Sequence, residues 1–306
     1  MPPAPASPAA SALGTPRVRP AFAIRPWSAQ AMSAAALACL AALLCPPALA
    51  ADACDPMLAE VGAPLSRAGA PHVRLCRQGY VLAHDTALRV PAWVAQRLTP
   101  DRLQGTADRE ESGDFAADPE LPEDARATLA DYAGSGFDRG HMAPAADMKF
   151  SGEAMRQSFY LSNMAPQVGP GMNRGIWARL EAMVRDWACE RGTVVVLTGP
   201  VFDTAEPRRL NGRVAVPDAF WKVAYDPARG EAVAVVLPNA PVKLEGRDAR
   251  TVLGGYSVTI DELEARTGLD LLPALEDTRE AALEARKEAP WAVAKRCPKP
   301  PAKAGS

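Results

Sequence analysis

This chain is short of the groups that carry much of enzyme and binding chemistry. Three histidines occur in 306 residues, aromatics make up 6%, and the formal net charge is −2. Such a balance excludes a protein that coats nucleic acid by bulk positive charge, although it leaves room for local phosphate contacts. No Gly-rich Walker loop is present, which excludes a nucleotide-driven motor of that class. No Gly-x-Ser-x-Gly elbow is present, which removes the usual serine-hydrolase reading. Cysteine and histidine pairs at zinc spacing are missing as well. There is no finger module and no interleaved basic-aromatic stripe, so nothing in the sequence reads bases.

What is present begins with a leader. Residues 1–50 hold Arg17, Arg19 and Arg25, no acidic residue, and an apolar run from Ser33 to Leu44. That run is shorter than the roughly 20 residues a spanning helix needs. Ala48-Leu49-Ala50 has the small-x-small form of a signal-peptidase site. The expectation is a signal peptide over 1–50, one domain over 51–297, a flexible basic tail over 298–306, and a periplasmic or secreted protein. The leader holds three of the 34 basic residues and none of the 36 acidic ones, so residues 51–306 keep an excess of five negative charges. Four cysteines follow the leader: Cys54, Cys76, Cys189 and Cys297. An even count in an exported chain suggests two disulfides, with three pairings open. Cys54–Cys76 closes the shortest loop, and Cys189–Cys297 would tie the tail to a helix end; this pairing is favoured.

The periodicity mixes strands and helices without a βαβ rhythm. Strands are predicted over 73–85, 91–98, 159–163, 193–199, 219–225 and 231–237, the last two around the turn 226–230. Residues 101–123 read as a long polar loop, and 125–132 as a short helix or turn. Helices are predicted over 172–189, 259–267 and 272–287. Such an order favours an α+β fold with a central, largely antiparallel sheet flanked by helices.

The most informative residues are Asp138, Arg139, Gly140 and His141. An imidazole titrating near pH 6.5 accepts a proton at neutral pH, and a guanidinium fork pairs with phosphate oxygens. Glycine permits close backbone approach. Downstream stand Asn163-Met164-Ala165-Pro166-Gln167, then Asn173, Trp177 and Glu181. In this order the motifs closely resemble the DNA/RNA non-specific endonucleases of the ββα-metal, or His-Me finger, superfamily. Flanking Asp131, Tyr132, Gly136, Asp147, Thr198–Phe202 and Val216–Val223 extend the resemblance over residues 74–285.

The resemblance implies a ββα-metal active-site motif and an exported, Mg²⁺-dependent endonuclease, with Mn²⁺ as a substitute ion. It implies DNA and RNA as substrates, cut with little sequence preference to leave 5′-phosphates. His141 is the expected base and Asn173 the expected metal ligand, the latter through its amide oxygen. At i, i+4 and i+8 of one helix, Asn173, Trp177 and Glu181 would share a face. Glu181 would then accept from metal-bound water while Trp177 fixes the helix. The bland reading of Asn173 is a helix N-cap. Arg139 is the expected phosphate clamp, and Arg109 aligns with a family arginine near the phosphate. Asp138 orients its neighbours, or is a turn residue, and Asn163 supports the site from behind. His72 and His84 lack such neighbours and are expected at the surface. Two rival readings remain: a non-catalytic nucleic-acid-binding or uptake protein, and a phosphodiesterase acting on small esters.

Overall fold

The computed structural model describes residues 54–298, apart from 68, 70, 71 and 110–112. The expected signal peptide and nearly all of the expected tail lie outside the described residues.

Thirteen strands are present among the described residues. They are β1 (Leu65–Ser66), β2 (His72–Cys76), β3 (Val81–Asp85), β4 (Val90–Leu98), β5 (Phe137–His141), β6 (Met164–Val168), β7 (Val194–Val201), β8 (Arg209–Leu210), β9 (Val214–Ala215), β10 (Ala219–Asp226), β11 (Glu231–Pro238), β12 (Ser257–Val258) and β13 (Leu269–Asp270). Seven form one sheet in the order β12-β11-β10-β7-β4-β3-β2. Every pairing in it is antiparallel. β5 and β6 pair separately as an antiparallel two-stranded ribbon.

Both faces of the large sheet are covered, and the strands divide their side chains between two cores. In β10, Phe220 and Ala224 enter one core, while Trp221, Val223 and Tyr225 enter the other. In β7, Val194 and Val196 face the first core, and Val195 and Leu197 the second. A large side chain buried in this way contributes about 1.5–3 kcal/mol relative to exposure. The β5–β6 ribbon and the helix Ala178–Arg191 add Met142, Met164, Leu180 and Trp187 to the first core. The helices Ile260–Thr267 and Asp277–Glu284 cover the opposite face through Ile260, Leu263 and Leu283.

Several predicted boundaries move. The single strand over 73–85 is a hairpin, β2 and β3, turned through Arg77–Tyr80. The strand over 159–163 is displaced: Leu161–Asn163 forms a 3-10 turn and β6 begins at Met164. The helix over 172–189 starts only at Ala178, because Gly171 (φ 76°) and Gly175 (φ −124°, ψ −109°) leave the helical region. Residues 272–287 carry a shorter helix, Asp277–Glu284.

Both favoured disulfides are present, Cys54–Cys76 and Cys189–Cys297. The second spans 108 residues and ties the end of the described chain to the helix Ala178–Arg191. Losing a long-range native disulfide typically costs about 2–5 kcal/mol. Replacing Cys189 and Cys297 together with serine is expected to lower the melting temperature by roughly 4–20 °C. Calorimetry of the two proteins without reductant is the measurement.

Candidate active site

The motif Asp138–His141 lies on β5, in register with the second motif on β6. Asp138 stands opposite Gln167, and His141 opposite Met164. Gly140 does not have a positive φ. A Cβ there would meet the Gln167 side chain at 2.0 Å, so the glycine is required by close cross-strand packing. Asn163 is fully buried and acts as a clasp just after His141. Its Oδ1 accepts from the Ala143 N–H at 2.9 Å, and its Nδ2 donates to the carbonyls of Ala143 and Ser158, each at 2.9 Å. The Asn163 carbonyl accepts from Met142 N–H at 3.0 Å.

The imidazole of His141 is edged by two phenylalanine rings. Centroids lie 5.6 Å from Phe115 and 5.1 Å from Phe159. Its Nε2 is buried and has no hydrogen-bond partner within the protein. Burial, with the nearby Arg109 guanidinium adding to it, pushes the His141 pKa down to about 3. The ring therefore stays a neutral base well below the ordinary imidazole range.

Two guanidiniums share this aromatic floor. Arg139 lies 4.4 Å over Phe115, and Arg109 lies 5.0 Å over Phe159 and 5.6 Å over Phe115. Arg139 Nε is buried without a partner. Arg109 and Phe115 come from the long polar loop, whose position is fixed by tertiary bonds. Ala116 N–H donates to the Phe159 carbonyl at 3.2 Å, and Leu161 N–H donates to the Ala116 carbonyl at 2.8 Å. Arg77 Nη2 donates to both carboxylate oxygens of Asp118, at 2.8 and 2.6 Å. Placing Arg109 beside His141 is thus the work of a buried ion pair and short loop-to-turn bonds.

Asn173 lies in the irregular segment before the helix. Its Nδ2 donates to Asp138 Oδ2 at 2.9 Å, and Arg174 Nη1 donates to Asp138 Oδ1 at 2.7 Å. Asp138 is therefore no plain turn residue: it ties β5 to the segment carrying Asn173. A carboxylate can only accept from the amide's NH₂ end. The contact consequently orients the amide and leaves its Oδ1 for another donor or a cation. Asn173 caps no helix, since the residue preceding the helix Ala178–Arg191 is Trp177. The break at Gly175 also removes the shared helical face expected for Asn173, Trp177 and Glu181. Trp177 is fully buried against Phe220, with centroids 5.8 Å apart.

Glu181 sits in the first turn of that helix, above a buried charge network. Lys222 on β10 is 2% exposed, donates to Thr198 Oγ1 at 2.6 Å and lies 4.8 Å over the Trp177 ring. Asp147 accepts from Arg185 and Gln96, each at 2.9 Å. Burial raises the Glu181 carboxyl and lowers the Lys222 ammonium, and each opposes the shift of the other. Sequence reasoning singles out none of Lys222, Gln96 and Arg185. The available signal was a lysine on the buried face of an otherwise apolar strand.

His84 is a correction to the surface reading. It is fully buried, with Nε2 3.1 Å from the Ala125 carbonyl, and burial lowers its pKa. His72 is partly exposed, 3.9 Å from Asp85. A histidine whose folded pKa lies below its unfolded value near 6.5 favours folding above that pH, and the benefit is lost as pH falls toward the folded pKa. Melting temperature is expected to drop from pH 6.5 to pH 4.5, and to drop less in His84→Leu. Thermal scans of both proteins across that window give the test.

Residues 59–278 match the model of the family described as DNA/RNA non-specific endonuclease. Nuclease C1 of Cunninghamella echinulata var. echinulata is 40% identical over 214 residues, covering 65% of this chain and 82% of that protein. The mitochondrial nuclease of Saccharomyces cerevisiae is 40% identical over 228 residues, 68% of each chain. Human mitochondrial endonuclease G is 40% identical over 210 residues, 64% of this chain and 68% of that one. A solved EndoG/EndoGI complex superposes with a TM-score of 0.65 at 29% identity, covering 75% of this chain and 95% of the matched one.

Proposed function

The chain belongs to the DNA/RNA non-specific endonuclease family, and from that membership we propose a Mg²⁺-dependent enzyme that cuts DNA and RNA with little sequence preference. It is a nucleic-acid-hydrolysing endonuclease of a metal-dependent family. The observation that carries the finer reading is the His141 imidazole, neutral and unpartnered at Nε2, beside two guanidiniums.

In this reading the His141 imidazole takes a proton from the attacking water. Arg139 and Arg109 offset charge on the phosphoryl oxygens. The residues present fit a hard cation: Asn173 offers an amide oxygen fixed by Asp138, and such an ion keeps several waters. When bound, the metal supplies charge neutralisation at the scissile phosphate. By the same resemblance Glu181 would accept hydrogen bonds from the waters such an ion carries. By family resemblance the products carry 5′-phosphates. All of these groups address phosphate, water and metal, which DNA and RNA share, and backbone contacts carry little base information.

Export to an oxidising compartment is part of the proposal. Two disulfides support it.

The test is a time course on supercoiled plasmid, single-stranded DNA and RNA, with sequenced ends. Cleavage of all three, stopped by EDTA and restored by Mg²⁺, is the expected result. A strong consensus at the cuts, or refusal of RNA, overturns the non-specific reading. Turnover of bis-p-nitrophenyl phosphate without plasmid cleavage would favour the small-ester alternative.

A further inference from the structure

A second cluster of carboxylates lies across the large sheet from His141, where the helices Ile260–Thr267 and Asp277–Glu284 meet. Asp261, Glu264 and Glu284 each place an oxygen within 4.8 Å of the other two. Glu264 is 3% exposed and Glu284 is 7% exposed. Asp270 and Glu280 stand close enough to add to the negative potential, Asp270 at Glu264 and Glu280 at Glu284. The elements around the cluster offset little of this charge. Arg67 donates to Glu264 Oε2 at 2.6 Å, and the Leu271 N–H donates to Glu264 Oε1 at 2.7 Å. The arginines on or just after the two helices are turned to other partners: Arg266 to Asp203, Arg279 to the Tyr225 hydroxyl, Arg286 to the Gly230 carbonyl.

Two carboxylate oxygens are left over. Glu284 Oε1 and Glu280 Oε1, one turn apart on the same helix, are buried and have no hydrogen-bond partner. Without an ion the Glu264 and Glu284 carboxyls hydrogen-bond to each other around a held proton, and gathering five acidic groups about one arginine carries a cost. A hard divalent cation removes it, because oxygen donors of this kind are its ligands. Ligands on opposite sides of one calcium ion lie up to roughly 4.8 Å apart, at about 2.4 Å each. Magnesium demands near-ideal octahedral geometry and keeps several waters, so a cluster of protein carboxylates favours calcium.

We propose that Asp261, Glu264 and Glu284, with Glu280 in support, form a structural calcium site that joins the last two helices to each other. The site is separate from the catalytic centre, which occupies the opposite face. It acts on stability and leaves phosphodiester chemistry alone.

The experiment uses the EDTA-treated chain at pH 7.5 and titrates it with CaCl₂ alone, by thermal scanning and calorimetry. A saturable rise in melting temperature is expected, about 5 °C or more at 100 times Kd. Glu284→Gln keeps the side-chain shape and is expected to weaken the calcium response at least tenfold. Glu280→Gln, at the edge of the cluster, gives a smaller loss and covers the case in which Glu284→Gln fails to fold. Both variants keep Mg²⁺-dependent plasmid cleavage. Asn173→Ala keeps the calcium response, which separates this site from the catalytic one. Absence of any rise in the wild-type chain would mean that Glu264 and Glu284 merely share a proton, and overturns the proposal. An unchanged calcium response in Glu284→Gln, or its loss in Asn173→Ala alone, does so equally.

Discussion

Replacing His141 with alanine is expected to abolish plasmid cleavage in a protein that still folds. Removing a positioned general base typically costs about 10² to 10⁴ in rate. The loss here should lie at the upper end, because in the proposed mechanism the same group generates the nucleophile. Folding should survive, since His141 makes ring contacts to Phe115 and Phe159, and its Nε2 bonds nothing within the protein. Far-ultraviolet dichroism and melting temperature report the fold, and gel assays report the rate. The pH profile adds a sharper reading. An ordinary histidine base would lose activity as pH falls through about 6.5. His141 is pushed down to about 3 by burial and by Arg109, so the free enzyme should stay competent well below that range. Arg109→Ala should remove part of the depression and move the acid limb upward. An acid limb at the ordinary imidazole value in the wild-type enzyme would contradict the burial argument. Full cleavage by a folded His141→Ala would remove this residue from the mechanism.

The parts of the fold legible in the sequence are those set by local pattern. The β10–β11 hairpin, β4 and β7 follow from short apolar runs bounded by turn residues, and the ordered motifs place His141 and Asn173. Other features depend on tertiary contacts that spacing does not encode. Residues 172–177 have apolar positions at helical spacing, yet Gly171 and Gly175 leave the helical region. The Asp138 carboxylate holds Asn173 from across the ribbon. Arg109 reaches the site through tertiary bonds to its loop, among them that of Arg77 to Asp118 from 41 residues away. His84 looked peripheral because nothing around it in sequence resembles a site, and its place on a strand covered on both faces buries it. Lys222 lies within an apolar strand, and its register opposite Thr198 shows which neighbour it meets across the sheet.

The other large effect is expected at Asn173. Asn173→Ala removes the amide oxygen offered to the metal, and activity should fall by more than about 100-fold, the upper end of what even outer-shell partners cost. A role as helix cap would predict a different signature. Losing a cap costs about 1 kcal/mol, or roughly 2–4 °C in melting temperature for a chain of this size, with a normal Mg²⁺ activation curve. The residue before the helix is Trp177, so Asn173→Ala loses no cap and should change stability only through its bond to Asp138. Asp138→Ala provides the intermediate case. It leaves the ligand in place and removes the carboxylate that orients it, along with the Arg174 contact. Metal affinity should weaken by about 10–100-fold, as for other outer-shell partners. The Mg²⁺ activation midpoint should then rise, with much of the rate recovered at saturating ion. Asn173→Ala should show little recovery at any Mg²⁺ concentration. Activation curves for the two variants and the wild type, paired with melting temperatures, separate ligand, orienting group and cap. A normal activation curve with a lowered melting temperature in Asn173→Ala would return this residue to a purely structural role.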